Sequence, residues 1–99
     1  MEDKYPDHYF EHFIVGITMT GVACNTEGFY ELARIYISIE GIETFGHLIK
    51  EIEAIEKAGD WNYFFENVSI AYDLTEMNED KLKELARAAT LFYHKNLNV

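Results

Sequence analysis

The sequence is short of cations, of cysteine and of proline, and each shortage closes off a class of protein. Eight lysines and arginines stand against eighteen aspartates and glutamates in 99 residues, a formal charge of −10. Nucleic-acid binding relies on lysines and arginines that release counterions from the phosphate backbone, so this composition argues against a nucleic-acid partner. The one cysteine, Cys24, excludes an internal disulfide framework and any Cys-x-x-Cys metal or redox pair. It is compatible with a reducing cytosol and, set in an apolar run, reads as a structural thiol rather than a nucleophile. Long apolar stretches are missing too. A membrane helix needs about 20 mostly apolar residues. The longest uncharged run here, residues 13–26, holds fourteen, four of them polar, and reads as a buried core element. The start, MEDKYPDHYFEH, is acidic and polar, unlike a secretory signal or a cationic transit peptide. The expectation is a cytoplasmic protein without a membrane partner.

What is present is enough for a core. Hydrophobic residues make up 48% of the chain and aromatics 15%, which disfavours disorder, and the length fits one helical domain over residues 1–99. The charge is uneven: residues 1–80 carry −13 and residues 81–99 carry +3. Such a surface attracts basic partners, and long-range steering can raise association rates roughly 10–1000-fold at low salt.

Hydrophobic spacing is helical nearly throughout. Phe10, Phe13, Ile14, Ile17, Gly21 and Val22 share one stripe, preceded by Pro6, which suits the first turn of a helix. Phe29, Leu32, Ala33, Tyr36 and Ile37 repeat the pattern, as do Phe45, Leu48, Ile49, Ile52 and Ile55. Gly59 suits the left-handed position after a helix and Asp60 the N-cap of the next, whose buried face is Trp61, Phe64, Phe65, Val68 and Tyr72. Asn78 or Asp80 opens a final helix along Leu82, Leu85, Ala86, Ala89, Phe92 and Tyr93. Acid-first pairs Glu53–Lys57, Glu79–Lys83 and Glu84–Arg87 would support the exposed faces. The expected fold is an all-α bundle of about five helices. Its rival is an α+β fold, because Ile35, Ile37 and Ile39 alternate and residues 14–20 are rich in β-branched side chains, consistent with a β-hairpin within residues 13–40.

Two motifs touch enzyme chemistry. HYFEH places His8 and His12 four apart in the order His-x-x-Glu-His, the inverted zinc-protease pattern, in which Glu11 would be the general base. A third ligand and a substrate cleft are still required, and a chain of this size has little room for the cleft. We read the segment as a plain helix face, with His8 and His12 its only metal candidates and no cofactor expected. RAATLFYH, residues 87–94, has the arginine-to-histidine spacing that resembles the HEPN family of small helical RNases; Ala88 replaces the polar residue usual there. That resemblance would assign Arg87 and His94 to phosphate polarisation and proton transfer. The alternative is a surface arginine and a histidine that favours the helix C-terminal dipole. GITMTG lacks the lysine of a phosphate loop. The expectation is a non-enzymatic protein.

Residues 59–80, GDWNYFFENVSIAYDLTEMNED, combine aromatics with carboxylates. With Trp61, Phe64 and Val68 turned inward, Asn62, Tyr63, Glu66, Asn67, Ser69 and Asp73 face solvent. Tyrosine gives area and a hydroxyl at low entropic cost, and carboxylates accept paired hydrogen bonds from arginine or lysine. The candidate partner-binding residues are Asp60, Tyr63, Glu66, Asn67, Asp73, Glu76, Glu79 and Asp80; the alternative is a solvated helix face with a helix-capping loop. In character, residues 60–73 with Tyr63 resemble the toxin-gripping helices of bacterial immunity proteins of colicin-type and contact-dependent toxins, though the Tyr-Tyr-Pro signature of the colicin family is absent. The resemblance implies occlusion of a basic nuclease toxin domain by a monomer or weak homodimer. A phage-type nucleic-acid mimic of the anti-CRISPR kind is the second implication. A helical regulatory or interaction subunit, with the Ile35–Ile39 side as a dimer surface, is the reading that needs no resemblance.

Overall fold

In a computed structural model, which describes residues 5, 7–69 and 77–97, the chain is all-α. The helices are α1 (Tyr9–Thr20), α2 (Thr26–Glu40), α3 (Ile42–Ala58), α4 (Trp61–Phe64) and α5 (Glu79–Leu97), with a π-helical turn at Phe65–Ser69 continuing α4. Among the described residues there is no strand, so the hairpin alternative for residues 13–40 is overturned. Burial gives the reason. The helical stripe Phe29, Leu32, Ala33, Tyr36 lies inside, whereas the alternating set fails as a buried face: Ile35 and Ile37 are half-buried and Ile39 is 73% exposed. A hairpin would have to bury all three isoleucines on one face of a sheet.

The joints are cut by residue chemistry. Asn25 caps α2, its Oδ1 accepting from the Gly28 N–H at 2.8 Å. Gly28 is required there, since a Cβ would sit 1.9 Å from the Ala23 carbonyl oxygen. A single residue, Gly41, separates α2 from α3 at φ 91°, ψ 161°, a region essentially closed to residues with a Cβ. Gly59 ends α3 in the left-handed conformation, as expected. Asn78 opens α5, accepting from the Lys81 N–H at 2.8 Å.

α1 lies antiparallel against α2, since His12 approaches Tyr36 and Glu40 while Gly16 meets Leu32. It also crosses α3, where Phe13 and Phe45 meet edge to face. α5 packs along α2 and closes the bundle. The aromatic series Phe10, Phe13, Phe29, Phe45 and Phe64 is almost wholly buried at its centre. Among the described residues no helix is long and apolar enough to cross a membrane.

α1 starts at Tyr9, and Pro6 lies outside the described residues. His8 precedes α1 in the left-handed conformation and gives no side-chain cap. The cap comes from α3 instead: Glu51 accepts from the Phe10 N–H at 2.8 Å and the Tyr9 N–H at 3.3 Å. Burial pushes the Glu51 carboxyl up from its ordinary range, against the pull of these two bonds.

Candidate functional site

The eight candidate partner-binding residues divide into three groups. Asp60 immediately precedes α4, Tyr63 lies on α4, Glu66 and Asn67 on the π turn, and Glu79 and Asp80 on the first turn of α5. Asp73 and Glu76 lie outside the described residues, as does Tyr72.

In the first group, internal bonds engage much of the polar surface. Asp60 does not cap α4; its Oδ2 accepts from the Tyr5 hydroxyl at 2.7 Å. Burial, with the Asp60 bond next, pushes the Tyr5 hydroxyl well above the ordinary tyrosine range. Tyr63 is half-buried rather than exposed, its ring 6.1 Å from Tyr5 and 5.1 Å from Phe64. Asn67 donates to the Tyr63 carbonyl at 2.8 Å and Asn62 to Glu66 at 3.1 Å. Glu66 and Asn67 nevertheless stand in solvent. Trp61, Phe64 and Val68 are buried, as their spacing predicts, while Phe65 is only half-buried.

The second group is open. Glu79 and Asp80 are exposed, and neither makes an ion pair among the described residues; the expected Glu79–Lys83 and Glu84–Arg87 pairs are replaced by Lys81–Glu84 at 3.5 Å. Thr26 donates to Glu84 at 3.1 Å, which sets the start of α2, with its exposed Glu27, beside the first turns of α5. Carboxylates thus collect where the N-terminal ends of two helices meet, positions that the helix dipole favours. Glu43, Glu53 and Glu56 are likewise exposed and make no ion pair among the described residues, where Glu53–Lys57 does not form.

Sequence reasoning did not anticipate a cation cluster beside α4. Lys83 and Arg87, one turn apart on α5, line a cleft of about 270 Å³ with Glu56, Trp61, Thr90 and Leu91. Neither cation has an ion-pair partner among the described residues. The sole signal in the sequence was the basic balance of residues 81–99.

The enzyme candidates separate. His8 faces Glu11 at 3.3 Å and His12 faces Glu40 at 3.6 Å, so each imidazole is turned toward a different carboxylate. Glu11, the required general base, is thereby tied to His8. Among the described residues no three or more His, Cys, Asp or Glu side chains gather to hold a metal ion. Arg87 lines the cleft beside Trp61, whereas His94 is exposed in the last turn of α5 with its ring on Tyr93. Cys24 is half-buried in the turn before α2.

A larger opening than the Lys83–Arg87 cleft lies between α1 and α2. It measures about 390 Å³ and is walled mainly by apolar groups, among them Phe13, Leu32, Ile35 and Tyr36. Burial pushes the Tyr36 hydroxyl up to about 12, with the charge of Glu40 adding to it. Comparison with protein-family models, curated proteins and solved structures finds no match to this chain.

Proposed function

We propose that the chain is a non-enzymatic binding protein for a basic protein partner, acting as an immunity protein that occludes the active site of a nuclease toxin. The observation that carries the reading is the state of the carboxylates. Glu27, Glu43, Glu53, Glu56, Glu79 and Asp80 are exposed and make no ion pair among the described residues, so their charge is available to an outside cation. A carboxylate already locked to lysine or arginine would contribute little to steering, because the pair's field cancels at a distance.

The inhibition is physical. Carboxylates occupy the positions at which a basic nuclease holds substrate phosphates, and the helical scaffold blocks the cleft. Arginine on the toxin would form paired, charge-assisted bonds with them. The zone that supports this best is the meeting of α2 and α5 at Glu27, Glu79 and Asp80, with Glu66 and Asn67 on a separate face. Asp60 and Tyr63 take a supporting part, holding the entry of α4 through Tyr5.

The test is direct mixing with the nuclease toxins encoded beside its gene. A complex at low salt that weakens in Glu79→Lys/Asp80→Lys protein, with loss of nuclease inhibition, is the expected result. No complex with any neighbouring toxin at low salt would count against the reading. A second reading, the helical interaction subunit, is favoured by the exposed apolar residues around the α1–α2 opening.

A further inference from the structure

Opposite charges face one cleft in this molecule without meeting. The cleft of about 270 Å³ lies where the last turn of α3, the start of α4 and the middle of α5 converge. Lys83 and Arg87 stand on its α5 wall and Glu56 on its α3 wall, yet neither cation pairs with that carboxylate. Glu84, the carboxylate within reach of Arg87 on its own helix, is drawn elsewhere: Lys81 faces it at 3.5 Å and Thr26 donates to it at 3.1 Å. Lys83 and Arg87, four apart on one helix face, also repel each other. An anionic group seated between them relieves that repulsion and gains charge-assisted donors from both.

The remaining walls add acceptors and apolar surface. Beside the Glu56 carboxylate, Thr90 offers a second acceptor. Its hydroxyl hydrogen is directed to the Ala86 carbonyl at 2.9 Å, so toward a ligand its oxygen accepts. Trp61, the most buried of the lining residues at 9% exposure, forms the floor, and Leu91, 52% exposed, stands at the rim.

Sign and size together select the ligand. A plain anion finds the two cations but also meets Glu56, on a chain at −10. A plain cation meets Lys83 and Arg87. A molecule that carries both a carboxylate and an ammonium answers both walls, and having no net charge it is not repelled by the acidic surplus. The volume lies below the roughly 300–1,000 Å³ of clefts that enclose drug-sized ligands, so the ligand is smaller than a nucleotide cofactor.

We infer that this cleft binds a small zwitterion with an apolar body, the chemistry of a free α-amino acid such as leucine or phenylalanine. Lys83 and Arg87 take the carboxylate, Glu56 and Thr90 the ammonium, and Trp61 and Leu91 the side chain. The inference does not depend on the proposed function, because Glu27, Glu79 and Asp80 of its acidic zone do not line the cleft.

Trp61 is the chain's only tryptophan, so its indole N–H is a single reporter of the cleft. NMR titration of the full chain with L-phenylalanine should move that signal and the Leu91 methyls along one saturable curve, while the Met19 methyl, exposed on α1, stays in place. 3-Phenylpropionate, which lacks the ammonium, and phenethylamine, which lacks the carboxylate, should each bind at least tenfold more weakly. Arg87→Gln should weaken phenylalanine binding at least tenfold and Lys83→Gln several-fold. Glu56→Gln should weaken phenylalanine binding while leaving 3-phenylpropionate unchanged or tighter. All three side chains are exposed, so folding is preserved. The absence of a saturable shift at millimolar phenylalanine overturns the site. Equal binding of 3-phenylpropionate, or displacement of phenylalanine by equimolar inorganic phosphate, reveals a general anion site and overturns the zwitterion. A Glu56→Gln protein that holds phenylalanine as tightly as the native chain overturns the ammonium contact and with it the choice of ligand.

Discussion

Glu51 shows how much one side chain can settle and how little of that is visible in advance. Its position off the apolar stripe of α3 gives no hint that it will cross to α1 and satisfy two backbone N–H groups of another helix. Helix N-termini need acceptors, and a serine, threonine, aspartate or asparagine at position 8 would have announced a cap. His8 does not, so the acceptor had to come from a distance. Replacing Glu51 by alanine removes the acceptor and should destabilise the fold by about 1–3 kcal/mol, measured by urea unfolding. Glutamine retains an acceptor oxygen without the buried charge and should lose much less. The pH dependence has a definite sign. The folded carboxyl holds its proton to higher pH than the unfolded one, so the contribution of Glu51 is greatest below the ordinary carboxylate range and declines as pH rises through its raised value. The stability difference between the native chain and Glu51→Gln should therefore shift toward the variant as pH rises through that interval. A difference that moves the other way would mean that the two N–H bonds outweigh burial.

At the scale of elements, glycine and asparagine decide where helices stop and start. Gly41 holds a conformation that only glycine adopts readily, and an added Cβ would meet nothing within 4 Å, so the cost of Gly41→Ala is purely conformational. It should be about 1–3 kcal/mol, read as a lower unfolding midpoint with an unchanged slope. Asn78→Ala removes the N-cap of α5 and should cost about 1 kcal/mol. The helical stripes, Gly59 and Asn78 were legible because each is a local rule: period 3.6, left-handed stop, side-chain cap. The rest depended on contacts between distant residues. Asp60 obeys the N-cap rule in sequence, yet Tyr5, fifty-five positions away, takes its carboxylate instead. Tyr63 was expected in solvent because a straight helix from Asp60 would put it there, and the Tyr5 ring covers it. The exposed Ile39 was readable only as half of an ambiguity between helix and strand, and the groove beside it needed the α1–α2 geometry to become visible.

The whole molecule carries a field that no pair of residues explains. Among the described residues, lysine or arginine neutralises carboxylate in two ion pairs, Arg34–Glu31 and Lys81–Glu84, while Lys83 and Arg87 stand together beside Trp61 without one. The acidic surplus is thus presented outward and its few cations are concentrated along α5. Surface charge of this kind acts mainly on encounter, since exposed pairs contribute little affinity once formed and are screened over about 8 Å at physiological salt. Two kinetic signatures follow for a basic partner. Raising sodium chloride from 50 to 500 mM should slow association by roughly tenfold or more while changing dissociation much less. Charge reversal at Glu79 and Asp80 should reproduce that slowing at low salt. Stopped-flow mixing measures both. An association rate indifferent to salt would show that the carboxylates serve only solubility, since a field that steers a cationic partner must weaken when ions screen it.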